Sequence, residues 1–338
     1  MDNSAAAVDR GMDTARRAAN VSRWNVGTAD GVTLNVVETG NPAGQPLLFV
    51  HGLSQSWRCW TRQLADPVLR RTFRLIAVDL RGHGDSEGAQ GALDVDGRSL
   101  PSLRPDQYIA GSDDGTARLW ANDIAAVVAG LDLDRPTLVG WSYGGVAALD
   151  YLRVSGGLGA AGKVVLLATS PVVQPPGAGE GGADRVFSSR AVEALLRTTP
   201  VDPMVTPPRV NTSADVARGL TDFVAACFAD DTADGDASPS DVEAVVGYNL
   251  ATAPDVRMSL IGRTFDYRNF LESLEPSAQR SILVATPLGD KVLQPLNVRS
   301  LWPAGDIVHQ SIDREGHLHF WRNPEGFREQ LLAFIGRV

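Results

Sequence analysis

Apolar residues run along this chain in two alternating rhythms. The first is a short, continuous run bounded by turn residues; Pro46-Leu47-Leu48-Phe49-Val50 and Lys163-Val164-Val165-Leu166-Leu167 are the clearest. Unbroken apolar runs of this length suit parallel strands covered on both faces. Strands are predicted over Trp24–Thr28, Thr33–Thr39, Pro46–Val50, Phe73–Val78, Thr137–Gly140, Lys163–Ala168, Ser281–Thr286 and Ile307–Ile312. Asp30-Gly31, between the first two, is a type I′ hairpin signal, so that end of the sheet should be antiparallel. The second rhythm is helical. Within Thr116–Gly130, Leu119, Trp120, Ile124, Val127 and Val128 fall on one stripe that would pack on a sheet. A last helix, Pro324–Ile335, starts on a first-turn proline and stops at Gly336. Strands alternating with helices make an α/β fold.

The alternation is interrupted once, over 171–275. The segment opens on the Gly- and Pro-rich stretch Gln174–Gly182, a flexible loop by composition. Helical patterns follow over Arg190–Arg197, Ala214–Phe228, Asp241–Leu250 and Val256–Leu274, with Ser213 and Ser240 at N-cap positions and a polar loop, Asp230–Pro239, between the second and third. The expected organisation is a polar arm over 1–20, a core over 21–170 and 276–338, and a helical cap insertion over 171–275. Glu87–Asp114, rich in Gly and Asp, reads as another loop.

Composition narrows the function. At 338 residues, 43% hydrophobic and 21% charged, the chain is of ordinary globular make-up. A net charge of −9 and an isoelectric point near 5.1 argue against a nucleic-acid partner. No apolar run reaches the roughly 20 residues that span a bilayer, and Met1–Asn20 has no apolar signal-peptide core, so a cytoplasmic location away from membranes is expected. Cys59 and Cys227 form no metal-spaced pair or disulfide framework and read as buried free thiols. There is no H-E-x-x-H. The G-x-G-x-x-G spacing from Gly177 to Gly182 lies in a flexible loop with no helix opening directly after it and reads as chance. No metal or organic cofactor is therefore expected. The expected partner is a small-molecule substrate, with a homo-oligomer left open.

The sharpest chemical signal is Gly140-Trp141-Ser142-Tyr143-Gly144-Gly145, after the strand at Thr137 and before a helical run, Val146–Val154. G-x-S-x-G in a strand-to-helix turn is a nucleophile elbow, which would raise Ser142 above the sheet edge. The plain alternative is an incidental serine in a Gly-rich turn. A serine hydroxyl needs a base to take its proton. His317 sits just after the last strand, at the same sheet edge; His319 is the competitor, and His309 lies inside the strand and reads as structural. The base needs a carboxylate to fix its tautomer. Asp290, in the loop after the strand at Ser281 and 27 residues before His317, fits; Asp306 is the runner-up. The backbone N–H groups of Leu53, in Val50-His51-Gly52-Leu53, and of Tyr143 are the candidate oxyanion donors. His51 itself reads as a brace for its loop. Trp57, Trp141, Phe223 and Phe228 are candidate pocket-lining residues, against the commoner role of such aromatics as plain core.

These motifs, with Asp79-Leu80-Arg81-Gly82-His83-Gly84-Asp85-Ser86, resemble those of the α/β-hydrolase-fold superfamily of esterases, non-haem haloperoxidases and epoxide-hydrolase-like enzymes, over nearly the whole chain from Trp24. The resemblance implies a mostly parallel eight-stranded sheet with helices on both faces and a helical cap inserted after strand 6. It also implies a largely structural role for the turn at Asp79–Ser86. One departure stands: where the family often has a glycine three residues before its acid, this chain has Pro287. A serine at the elbow disfavours epoxide hydrolysis and dehalogenation, which use an aspartate there. The expected function is a serine hydrolase cleaving a small to medium, mostly apolar carboxylic ester or lactone through an acyl-enzyme. The alternatives are a C–C bond hydrolase or a cofactor-free perhydrolase using the same triad, and, less favoured, a ligand-binding receptor on a hydrolase scaffold.

Overall fold

Eight strands pair into one sheet: β1 (Ser22–Gly27), β2 (Thr33–Gly40), β3 (Gln45–Val50), β4 (Phe73–Val78), β5 (Thr137–Trp141), β6 (Val164–Leu167), β7 (Ile282–Pro287) and β8 (Val308–Ile312). Their spatial order is β1-β2-β4-β3-β5-β6-β7-β8. β1 and β2 are antiparallel to their neighbours, and every later pairing is parallel. The computed structural model describes residues 21–89, 91–92, 96–104, 107, 113–199, 201–202, 209–229 and 238–336, without the side chains at 113–117, 201, 202 and 209. The arm 1–20, most of the polar loop at 230–237 and parts of the loop at 87–114 lie outside the described residues.

The continuous apolar runs became the strands buried on both faces, with β5, β6 and β7 buried at every position. β8 closes the edge and is half-exposed along its length. Helices α1 (Asp113–Gly130), α2 (Tyr143–Val154) and α7 (Pro324–Ile335) belong to the core, with Trp120, Ile124 and Val127 fully buried on the α1 stripe. Between β6 and β7 come α3 (Ser189–Arg197), α4 (Ser213–Phe228), α5 (Pro239–Leu250) and α6 (Pro254–Ile261). Among the described residues no helix is long and apolar enough to cross a membrane.

Four local expectations are corrected. The β1–β2 connection is not a type I′ turn: Gly31 N–H donates to Thr28 O at 3.0 Å, Thr28 N–H donates to Val32 O at 2.8 Å, and Gly31 alone has positive φ. This is a three-residue loop with a bulge at the glycine, and the Thr28 hydroxyl stabilises it by donating to Asp30 Oδ1 at 2.6 Å. The N-caps are Thr212 and Ser238 rather than Ser213 and Ser240. Thr212 forms a capping box with Asp215, and Ser238 precedes a first-turn proline. Val256–Leu274 is not one helix. It breaks at Gly262, runs as a short strand, Phe265–Asp266, paired antiparallel with Val172–Val173, and resumes at Arg268–Ser273. The buried Phe265 ring and the strand pairing outweigh helical spacing there. The Gly-rich stretch is followed at once by a one-turn helix, Ala183–Val186, but the two-residue strand before it, Val172–Val173, pairs antiparallel with Phe265–Asp266 outside the eight-stranded sheet, so the dinucleotide reading still fails.

The turn after β4 is a polar brace. Asp79 accepts from Trp57 N at 2.6 Å, Asn35 Nδ2 at 2.8 Å and Asp85 N at 2.8 Å. Arg81, fully buried, grips Asp123 and Asp30 and donates to Gln107 O. His51 accepts from Leu80 N on Nε2 at 3.0 Å, so its Nδ1 is the protonated nitrogen, donating to Gly52 O at 2.8 Å. It ties the loop after β3 to the loop after β4, as a brace. Both cysteines are free and buried.

Candidate active site

β5 runs straight into α2 through Ser142, which takes φ 52° and ψ −117°, an uncommon conformation for a residue with a side chain. Its N–H donates to Leu167 O at 2.8 Å, and its carbonyl accepts from Thr169 Oγ1 at 3.1 Å and Gly145 N at 3.0 Å. The turn is pressed against the end of β3: a Cβ on Gly144 would lie 2.2 Å from Val50 O and 2.5 Å from His51 O. Both obstacles are backbone at the end of a central strand, so neither can retreat cheaply. Gly144→Ala should lose about 3 kcal/mol of stability in urea denaturation, the upper range for overpacking; an unchanged midpoint would refute the tight elbow.

The candidate acid, Asp290, and the candidate base, His317, are brought together. His317 Nδ1 donates to Asp290 Oδ2 at 2.7 Å, with both residues buried. The other carboxylate oxygen accepts from Val292 N at 2.7 Å and Leu293 N at 3.0 Å, so Asp290 is oriented from both sides. With Nδ1 committed as donor, Nε2 is the nitrogen left to take a proton. The loop after β7 is laced to the loop after β8, with Leu288 N donating to Ile312 O and Gly289 N donating to Glu315 O, each at 2.9 Å. A Cβ at Gly289 would stand 2.3 Å from Arg314 O, so the close approach in this acid loop falls one residue before Asp290, and Pro287 ends β7 without hindering it.

Trp141 joins this pair to the elbow. Its Nε1 donates to His317 O at 2.9 Å, and its ring centroid lies 5.4 Å from that of the imidazole. Among the described residues no hydrogen bond joins Ser142 Oγ to His317; such contacts commonly tighten only when substrate is bound. The competitors are placed elsewhere. His319 is buried edge-on to Phe320 and Phe327, with neither ring nitrogen partnered, and burial followed by repulsion from His317 pushes it down to about 3. Asp306 is an exposed partner of Arg280. His309 is exposed on β8.

Ser142 opens on a cavity of about 380 Å³. Leu53 and Tyr143 line it beside the serine, and Tyr143, as the first residue of α2, places its N–H at the helix N-terminus. The walls are mainly apolar: Val146, Val173, Phe187, Leu195, Leu196, Phe223, Leu260 and Leu293 among them, most from the segment between β6 and β7. Of the four aromatics expected to line it, only Phe223 does. Trp57 and Phe228 are core, and Trp141 is spent under His317. Trp57 opens a single 3-10 turn, Phe228 ends α4 and Trp141 ends β5, and all three are buried. Sequence reasoning missed two contributors: the Gln174-Pro175-Pro176 stretch, read as plain loop, and Arg263. A Gly/Pro segment directly after a sheet strand was a usable signal for the first. Nothing local marked the second. Among the described residues no group of three or more His, Cys, Asp or Glu could hold a metal ion.

Comparison with known proteins agrees with this architecture. The curated relatives include the AB hydrolase superfamily protein YisY of Bacillus subtilis, 29% identical over 144 residues, 43% of this chain and 44% of that one. They also include a non-heme chloroperoxidase of Streptomyces lividans, 31% identical over 148 residues, 44% of this chain and 45% of that one. These matches thus span less than half the length of either relative. Among solved structures, the esterase RhEst1 from Rhodococcus sp. ECU1013 superposes with a TM-score of 0.69 at 29% identity, covering 93% of this chain and 98% of that one. The family pattern described as "Alpha/beta hydrolase family" matches residues 47–330, and the chain therefore belongs to that family.

Proposed function

We propose that the protein is a serine hydrolase of carboxylic esters or lactones, with Ser142 as nucleophile, His317 as base and Asp290 as the acid that orients it. The observation that carries this reading is the buried Asp290–His317 hydrogen bond, held through Trp141 against an elbow serine that faces an apolar cavity. Ser142 Oγ attacks the acyl carbon while His317 Nε2 takes the hydroxyl proton, and Asp290 stabilises the resulting imidazolium. The tetrahedral oxyanion is held by the N–H groups of Leu53 and Tyr143. His317 then gives its proton to the leaving oxygen as the C–O bond breaks, leaving an acyl-enzyme. Water, deprotonated by His317, attacks that ester; collapse returns the proton to Ser142 and releases the acid.

The mainly apolar lining favours a neutral acyl or alkyl group of small to medium size. We further propose that a helical insertion over 171–275 forms most of this substrate pocket and that the protein acts in the cytoplasm without cofactor. The likeness to a chloroperoxidase favours a second reading, perhydrolysis, in which peroxide replaces water on the same acyl-enzyme. A fluorophosphonate probe should label the protein once, and peptide mapping should find the adduct on Ser142; a stable adduct elsewhere, or none, overturns the assignment. Acetate- and peroxide-dependent halogenation would select the second reading.

A further inference from the structure

Arg263 lines the cavity yet spends its Nη hydrogens inside the protein. Nη1 donates to Asp150 Oδ2 at 2.8 Å and to Tyr143 Oη at 3.3 Å; Nη2 donates to Asp150 Oδ1 at 2.6 Å and to Tyr267 Oη at 2.9 Å. Tyr267 Oη donates in turn to Asp150 Oδ1. Asp150 and Tyr267 are fully buried, and Arg263 nearly so. With four bonds from four Nη hydrogens, this end of the guanidinium has no donor left for a substrate carboxylate. Its role has to be sought in what it holds.

Two of its partners lie on one helix. Tyr143 opens α2, and Asp150 follows seven residues later, two turns along the same face. Arg263 comes from the other side of the cavity, in the turn after α6, and Tyr267 follows it after the short strand paired with Val172–Val173. A planar fork thus spans the first and third turns of the helix whose first N–H is the proposed oxyanion donor. Tyr143 stands at both ends of this arrangement: its backbone N–H is the proposed oxyanion donor, and its hydroxyl is what Arg263 grips. The same ring also meets that of Trp120 edge-on, with centroids 6.2 Å apart.

We propose that Arg263 is a positioning residue for the oxyanion-binding N–H of Tyr143, so that the segment between β6 and β7 sets the rate of acyl transfer as well as the shape of the cavity. This rests on the serine-hydrolase reading. The oxyanion exists only in the transition state and its neighbouring intermediate, so loosening its donor lowers kcat and leaves KM nearly unchanged. The fork cannot be replaced by an ammonium, because a single point donor cannot hold Asp150 and Tyr143 in one plane.

The test compares wild type, Tyr143→Phe, Arg263→Lys and the double variant. Each is measured for the rate constant and final stoichiometry of fluorophosphonate labelling, for kcat and KM on p-nitrophenyl butyrate, and for melting temperature. Tyr143→Phe keeps the ring and the Arg263–Asp150 pair, so it remains informative if Arg263→Lys folds poorly. The expected result is a fall of about 10-fold in kcat and in labelling rate for each single variant, at full labelling stoichiometry and with KM within about twofold. The double variant should be no slower than the slower single, since both cut one linkage. The proposal is overturned if Tyr143→Phe labels and turns over at the wild-type rate. It is equally overturned if KM alone rises, which would mark a substrate contact, or if the two losses multiply. Wild-type protein that neither labels at Ser142 nor cleaves the ester overturns the serine-hydrolase reading and takes this proposal with it.

Discussion

Ser142→Ala should lower turnover of p-nitrophenyl butyrate by about 10⁶-fold, on the scale seen when a triad nucleophile is removed, and leave only what binding and the oxyanion donors provide. The fold should persist, because the Ser142 side chain makes no hydrogen bond to another described residue. What holds the turn is its backbone: N–H to Leu167 O, and carbonyl to Thr169 and Gly145. Ser142→Gly should be equally inactive yet more stable. A residue with a Cβ at φ 52° and ψ −117° carries strain on the order of 1–3 kcal/mol, which glycine relieves at a cost of about 0.5–1 kcal/mol in unfolded-chain entropy. A net gain of about 1 kcal/mol over Ser142→Ala is expected from urea denaturation. Residual activity in Ser142→Ala well above background would place the nucleophile elsewhere; equal stability of the two variants would remove strain from the account of the elbow.

The second large effect is acid lability. Three buried histidines stay neutral in the folded state. Burial pushes His51 well below its ordinary value, His83 to about 4 and His319 to about 3. Below pH 6.5 the unfolded chain takes up protons that these folded residues refuse, so each one's contribution to stability is present above that pH and lost as pH falls toward its folded value. The loss approaches about 1.4 kcal/mol per pH unit per histidine. Asp79 acts in the opposite sense: burial first, then the nearby Asp85 charge, raises it to about 6, so between about pH 4 and 6 the folded state holds a proton that the unfolded chain releases. Buried Asp123, also raised, acts with Asp79, whereas His309, Asp30 and Asp266, all lowered, act with the three histidines, so stability should fall from pH 6.5 toward 4. His319→Leu isolates one of them. Its pH-independent packing change cancels in a comparison of pH 8 with pH 5, across which it should lose about 2 kcal/mol less stability than wild type. Identical losses in the two proteins would mean that His319 is protonated in the folded state.

Much of this was legible in the residues themselves. The strands could be read because Leu47–Val50 and Val164–Leu167 have no polar position to spare, which only a doubly covered strand explains. The elbow could be read because Gly140 and Gly144 bracket a serine directly after such a run. Asp290 was legible as a carboxylate leaving a strand, although the tight approach in its loop occurs at Gly289 rather than at the position of Pro287. Tertiary partners were not legible. Arg263 lies 120 residues from Tyr143 and 113 from Asp150, and no periodicity links them. Trp57 and Phe228 were misplaced because spacing tells which face of an element is apolar but not which body that face meets. Phe265 was assigned to a helix because the pull of a two-residue strand across the chain leaves no trace in a local window.

His317 is only 1% exposed, while Ser142 lines the cavity. On the proposed mechanism, ester, departing alcohol and incoming water that reach Ser142 through this cavity pass the same apolar walls. A long acyl chain lodged there dries its own route to hydrolysis, and any small alcohol dissolved in that passage competes with water on favourable terms. The choice between cleaving an ester and handing its acyl group to another molecule then becomes a matter of traffic through the cavity rather than of a different set of reacting groups.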